Sequence, residues 1–241
     1  YYSISNTYWI EDDYDKCSNG IPELAKEYGL PIREGKFNFA KTFALKTTGT
    51  DSFCITRRMR TMEIMKRGCG HIDVPYFINM MRDHYEDNEV LKPRYDAANA
   101  VYMCLCFHCE PGIDFQTNSS LIVDYQGVDE NGNTKFAMWV GLNLPCCSTF
   151  FPIFDLDGIP ETLNGAGGKY DTEHLWWQLE RMKLGIEANY NKYIELWRPY
   201  QRYFDGKSSL LAVEVAKQNL EKSERTEKLA ELLKEIYEAS K

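Results

Sequence analysis

Residues 118–143 read "NSSLIVDYQGVDENGNTKFAMWVGLN", and the join at the centre of this stretch decides the fold class. Asn131-Gly132 is a dipeptide that accepts the positive φ angles of a tight hairpin turn. It lies between two runs rich in β-branched and aromatic residues, "NSSLIVDYQ" and "KFAMWVGLN". Two more runs about one strand long, "AVYMCLCFHC" upstream and "STFFPIF" downstream, are set off by polar, Gly-containing or Pro-containing segments. The middle of the chain therefore reads as an antiparallel sheet.

Helical patterns lie on both sides of it. Upstream, "IPELAKEYG" places Pro near the start and Gly at the end of a short helix, while "FNFAKTFAL" fits a strand or a helix. Asp51 to Arg67 reads as a helix capped by Asp51 or Ser52 and stopped by Gly68. Asp73 and Pro75 open another, in which Phe77, Met80, Met81 and His84 recur at helical spacing. The first ten residues, Tyr1 to Ile10, alternate as a strand with Asn6 in its middle. Downstream of "GAGG" at 165–168, Trp176, Leu179, Arg181, Met182, Ile186 and Tyr190 begin a long helix that runs to Pro199. Ser208 or Ser209 then caps a further helix that reaches Leu232, Leu233 and Ile236. The expected organisation is an α+β core over 1–165 and a helical region over 166–241, the latter packing on the core or on a subunit partner. There is no internal repeat, and "EKSERTEKLAELLKE" reads as a solvated helical face.

Composition excludes several classes. Apolar content of 44% and aromatic content of 14% belong to a folded globular protein. The net charge of −8 argues against a general nucleic-acid surface, although Arg57, Arg58 and Arg60 form a local basic patch. The sequence has no run of 18 apolar residues and no charged-then-apolar leader, so neither membrane spanning nor secretion is supported. Eight cysteines spread over 241 residues lack the density of a disulfide scaffold. A reduced, cytoplasmic protein is expected.

Few residues stand out for chemistry. A neutral Asn amide held on a rigid segment can donate to a developing oxyanion, which makes Asn6 a candidate; the plain alternative is an edge or turn asparagine. Arg57 and Arg60, three apart, share one side of their helix while Arg58 turns away. The pair can orient a thiolate or grip a carboxylate, or merely form surface salt bridges. Cys104, Cys106, His108 and Cys109 crowd together, but strand alternation sends Cys109 to the opposite face and no second Cys-x-x-Cys pair follows. Adjacent Cys146 and Cys147 diverge in the same way. No metal and no cofactor are therefore expected, and His108 reads as a hydrogen-bonded structural histidine with a substrate-pocket role as the alternative. Cys54, beside the arginines, can be activated electrostatically, though nothing singles it out as a nucleophile. Glycine-rich phosphate loops, "HExxH" and "GxSxG" are all missing from the sequence.

The segments "YSISNTYWI", "GKFNFAKTFAL", "SFCITRRMRTMEIM", "TNSSLIVDY", "MWVGLNLPCCSTFFPIF" and "YDTEHLWWQLERM" together, over Tyr1 to about Tyr203, resemble the later part of N-terminal-nucleophile hydrolases. Within that class the likeness is to the cysteine dipeptidases and their secernin relatives. The resemblance implies part of a four-layer αββα sandwich with a long helical C-terminal extension. It implies hydrolysis of a dipeptide or similar small amide by an N-terminal cysteine thiol. Asn6 then matches the oxyanion-stabilising asparagine, Arg57 the arginine beside the nucleophile in related bile-salt and penicillin amidases, and Arg60 a further arginine that contacts substrate. The nucleophile would come from an upstream segment or a separate chain, leaving these 241 residues inactive alone. A homo-oligomer is expected. Two other activities fit the same scaffold: an acyltransferase, and a non-catalytic secernin-like interaction protein.

Overall fold

The computed structural model describes residues 1–5, 8–32, 34–44, 51–92, 104–108, 116–155, 158–218 and 220–241, with 51–54 as helix backbone. The chain forms two compact units, Tyr1–Gly70 and His71–Lys241. Among the described residues the architecture is α+β, with seven α-helices and one three-stranded antiparallel sheet. None of these helices is long and apolar enough to cross a membrane.

In the first unit, α1 (Ile21–Glu27) follows Gly20 and has Pro in its first turn, as its sequence predicts. "FNFAKTFAL" resolves as helix α2 (Phe39–Phe43), whose start is fixed by Asn38 accepting from the Lys41 amide at 2.8 Å. Helix α3 (Asp51–Arg67) ends where the Gly68 amide donates back to the Ile64 carbonyl at 3.0 Å. The strand expected over Tyr1–Ile10 does not form among its described residues. A strand needs a neighbouring ladder, and here the backbone groups go elsewhere. The Ile10 and Glu11 carbonyls accept from the Ala40 and Phe39 amides at the head of α2, both at 3.0 Å, and the Ser3 carbonyl accepts from Arg58.

The second unit holds the sheet, in the order β1 (Ser119–Val128), β2 (Thr134–Leu142), β3 (Phe150–Ile153). The hairpin expected at Asn131-Gly132 is present, with Gly132 at φ +82. Asp129 organises it, accepting from the Asn131 amide at 2.9 Å and from the Asn133 amide at 2.7 Å. A bond from the Asn133 side-chain amide at 3.0 Å, the largest cause, and these backbone bonds hold the Asp129 carboxyl below its ordinary value. Because the folded value is depressed, the stabilisation is complete above the ordinary aspartate range, about pH 4, and is lost as pH falls through the folded value. Hydrogen-exchange protection of the Asn131 and Asn133 amides is therefore expected to decline only below about pH 4. Protection that stays constant to lower pH would contradict this role.

Strand pairing sets Met138 and Val140 on the same side of the sheet as Ile153 and Phe151. That side packs against α5 (Leu175–Glu187), α6 (Tyr190–Gln218) and α7 (Lys222–Ala239) through Leu179, Phe204, Leu211, Leu229 and Leu233. On the other side Ile122, Ala137, Trp139 and Phe150 meet α4 (Val74–Met81) at Phe77 and Ile78. The boundary expected between 165 and 166 thus runs inside the second unit, where β3 and the C-terminal helices share one core.

The helical region differs in its breaks. The chain pauses after Glu187 rather than at Pro199, and α6 runs through the proline. A mid-helix proline costs about 3 kcal/mol, but Trp197, Gln201 and Phe204 are buried around it, and packing of that face decides the outcome. Ser208 and Ser209 lie inside α6 rather than at a cap. The start of α7 is set instead by Glu221 and Glu224, which bond each other's backbone amides in a reciprocal capping box.

Candidate functional site

In the first unit, α3 carries the arginines. Arg58, expected to turn away, is the residue that binds the opening segment: its Nε donates to the Ser3 carbonyl at 3.1 Å. Its guanidinium lies over the rings of Trp9 (4.4 Å) and Tyr2 (5.5 Å). Arg57 is half-buried, and Arg60 is 3% exposed with Nη1 3.3 Å from Glu63 Oε2. Asn6 and the side chain of Cys54 lie outside the described residues, although Ser5 and Tyr8 on either side of Asn6 are described. The aromatic pair at Tyr2 and Trp9 was the available signal for Arg58, since a guanidinium stacks readily on such rings.

In the second unit, three irregular segments meet. The first follows α4, which is capped by Asp73 accepting from Tyr76 and which ends at Met81. His84 therefore lies beyond the helix on whose face the sequence put it. Tyr85, at φ +64, turns the chain back, and Glu86 fixes the imidazole: Oε1 is 2.9 Å from His84 Nδ1, and Oε2 accepts from the His84 amide at 2.8 Å.

The second segment, Cys104 to His108, is a bend and not a strand. The Cys106 amide donates to the Asp83 carbonyl at 3.2 Å, and the Phe107 carbonyl accepts from the Thr117 amide at 2.9 Å. Apolar periodicity alone cannot separate a buried bend from a buried strand. With no strand here, the alternation that weighed against a metal site does not apply. Cys109 lies outside the described residues.

The third segment is the loop from β2 to β3, which carries Cys146. It leaves β2 at Asn143, φ +65, whose side-chain amide, in the orientation that satisfies both of its polar atoms, pairs with Glu180 on α5. Arg82 donates to the Pro145 carbonyl at 3.0 Å and the Ser148 carbonyl at 2.7 Å. From α6, Gln201 donates to the Cys146 carbonyl and Trp197 to the Cys147 carbonyl, both at 2.8 Å. The loop is held from both sides.

At the meeting point, His108 Nε2 lies 3.1 Å from His84 Nε2, 3.4 Å from Cys146 Sγ and 3.7 Å from Cys106 Sγ. His108 Nδ1 faces Glu187 Oε1 at 3.6 Å. Leu144, Ile186, Tyr190, Ile194 and Trp197 enclose the cysteines in apolar packing. The six cysteines whose side chains are described are all free thiols. Burial pushes the Cys146 thiol up, but hydrogen bonds with Cys106, Cys147, His108 and His84 outweigh it and hold the thiol well below its usual value. Burial opposes charge on His84, yet hydrogen bonds to Cys146 and Glu86 raise it to about 9. Cys104, without such compensation, is pushed up to about 12, chiefly by burial. The cluster thus brings two cysteine sulfurs and two imidazole nitrogens together, a donor set suited to a cation of borderline softness.

Compared with known protein families and with curated proteins, the chain matches none. The structure groups His108 with His84, Cys106 and Cys146, a set whose members His84 and Cys146 sequence reasoning did not join to it. Arg57 and Arg60 share α3 in the first unit.

Proposed function

We propose that the chain is the later part of a thiol-dependent amide hydrolase that cleaves dipeptides or similar small amides, on an αββα sandwich of the N-terminal-nucleophile type. The observation that carries the reading is the Arg58 clasp. By gripping Tyr2, Ser3 and Trp9, it holds the arginine helix against the segment on both sides of Asn6. Described residues before and after Asn6 thus touch the helix that carries Arg57. That proximity supports a common site.

In this reading the attacking thiol is a cysteine at the mature N-terminus of a preceding segment, as the resemblance implies. It adds to the amide carbonyl, and its own amino group takes the thiol proton and returns it to the leaving amine. Asn6 donates to the tetrahedral oxyanion, and the Arg57 guanidinium stabilises the thiolate. Water then releases the acyl group; an amine acceptor at this step would make the same residues an acyltransferase. Arg60 is the less accessible of the two arginines on this side of the helix.

The test is incubation of the complete protein with a panel of dipeptides and N-acyl amines while free amine is measured. Amine release that stops after alkylation of the N-terminal cysteine is the expected result. A folded, complete protein that leaves the whole panel intact would overturn the proposal.

A further inference from the structure

We propose that His84, Cys106, His108 and Cys146 form a tetrahedral site for one structural zinc ion. The four ligand atoms all lie within 4.8 Å of one another. Zinc bonds of about 2.0–2.1 Å to nitrogen and 2.3 Å to sulfur, at tetrahedral angles, place ligand atoms about 3.3 Å apart for two nitrogens and about 3.6 Å for nitrogen and sulfur. The separations from His108 Nε2 are 3.1 Å to nitrogen, and 3.4 and 3.7 Å to sulfur. Hydrogen bonding alone explains this convergence poorly. A single Nε2 has one proton or one lone pair, yet His108 Nε2 faces another imidazole nitrogen and two sulfurs at once. An ion at the centre uses all four lone pairs together.

Two further features fit zinc. His84 turns its other ring nitrogen to the Glu86 carboxylate at 2.9 Å, the arrangement that orients a metal-bound imidazole, while His108 Nδ1 faces Glu187 at 3.6 Å, beyond hydrogen-bond distance. The donors are two sulfurs and two nitrogens, which favours zinc over magnesium or calcium. Exposure of 2% for His84, 0% for Cys106, 2% for His108 and 6% for Cys146 leaves no open position for substrate. The site is therefore structural. It ties together three segments that share no ladder, namely the chain after α4, the Cys104–His108 bend and the β2–β3 loop. This reverses the expectation, drawn from strand alternation and the absence of a complete ligand set, that these residues hold no metal, and it stands independently of the amide-hydrolase reading.

Elemental analysis of the full chain, purified without added metal, is expected to find close to one equivalent of zinc. Replacement by cobalt(II) is expected to give the intense visible bands of a tetrahedral site with thiolate-to-cobalt charge transfer. Cys146→Ser and Cys106→Ser are expected to lose the metal and weaken those bands, whereas Cys17→Ser and Cys69→Ser, at exposed thiols, retain both. Should the ligand variants not fold, the wild type decides: chelation is expected to lower its unfolding temperature, and zinc chloride alone to restore it. A folded wild type that carries no stoichiometric metal and gives no cobalt–thiolate band would overturn the proposal. So would full zinc retention by folded Cys106→Ser/Cys146→Ser, and iron or copper in place of zinc would overturn the assignment of the ion.

Discussion

Asn6→Ala in the complete protein is expected to lower turnover of the cognate amide roughly 10² to 10³-fold, equivalent to about 3 kcal/mol, with much less change in substrate affinity. The asymmetry follows from when the bond matters. A carbonyl oxygen accepts weakly in the bound substrate, but in the tetrahedral intermediate it carries a full negative charge, and a fixed amide donor is then worth most. Asn6→Asp is the harsher companion, because it sets a carboxylate where the oxyanion forms. Such a donor is worth most when it is fixed in advance, since a mobile amide would have to be ordered during the reaction itself. Steady-state kinetics and thermal unfolding of both variants provide the check. A folded Asn6→Ala that turns over at the wild-type rate would remove the oxyanion role.

Asp205→Ala is expected to destabilise the second unit by about 3 kcal/mol, the lower end for a broken interior ion pair. Arg82 and Asp205 are 15% and 19% exposed and meet at 2.6 and 3.2 Å, with water screening only the outer part of the pair. Asp205 also accepts from the Phe150 amide at 3.0 Å. Its removal leaves a guanidinium and a backbone donor inside the protein without their acceptor, and both losses act in the same direction. Arg82 keeps its carbonyl partners at Pro145 and Ser148 but loses the anion that aims it at the β2–β3 loop. Asp205→Asn keeps an acceptor for Phe150 and is expected to cost less. Urea unfolding of the three proteins measures the order; an alanine variant as stable as the wild type would show that the pair contributes nothing.

Local chemistry was the legible part of the fold. The Asn131-Gly132 turn, the Asp73 cap, the proline in the first turn of α1 and the Gly68 stop each act within four or so residues, so sequence reported them directly. What failed was non-local. Tyr1–Ile10 alternates like a strand, but whether a ladder forms depends on a neighbour that alternation does not specify. Pro199 ends an isolated helix; here burial of Trp197 and Phe204 sustains it. The cluster was hidden for the same reason: His84 and His108 are 24 residues apart, and His108 and Cys146 are 38 apart. Sequence spacing brings Cys106 and His108 together but gives no sign of the other two ligands. Its members converge because Arg82 and Gln201 seize the loop around Cys146 across 63 and 55 residues.

The claim that this chain serves thiol-dependent amide hydrolysis is tested most directly by acid-quenching the complete protein during turnover and mapping acylated residues by mass spectrometry. The account predicts one acyl-thioester, on the cysteine at the mature N-terminus, which accumulates to a higher level in Asn6→Ala only if deacylation suffers more than acylation. Rapid amide cleavage with no acylated cysteine, undiminished when that cysteine is replaced by alanine, would contradict it.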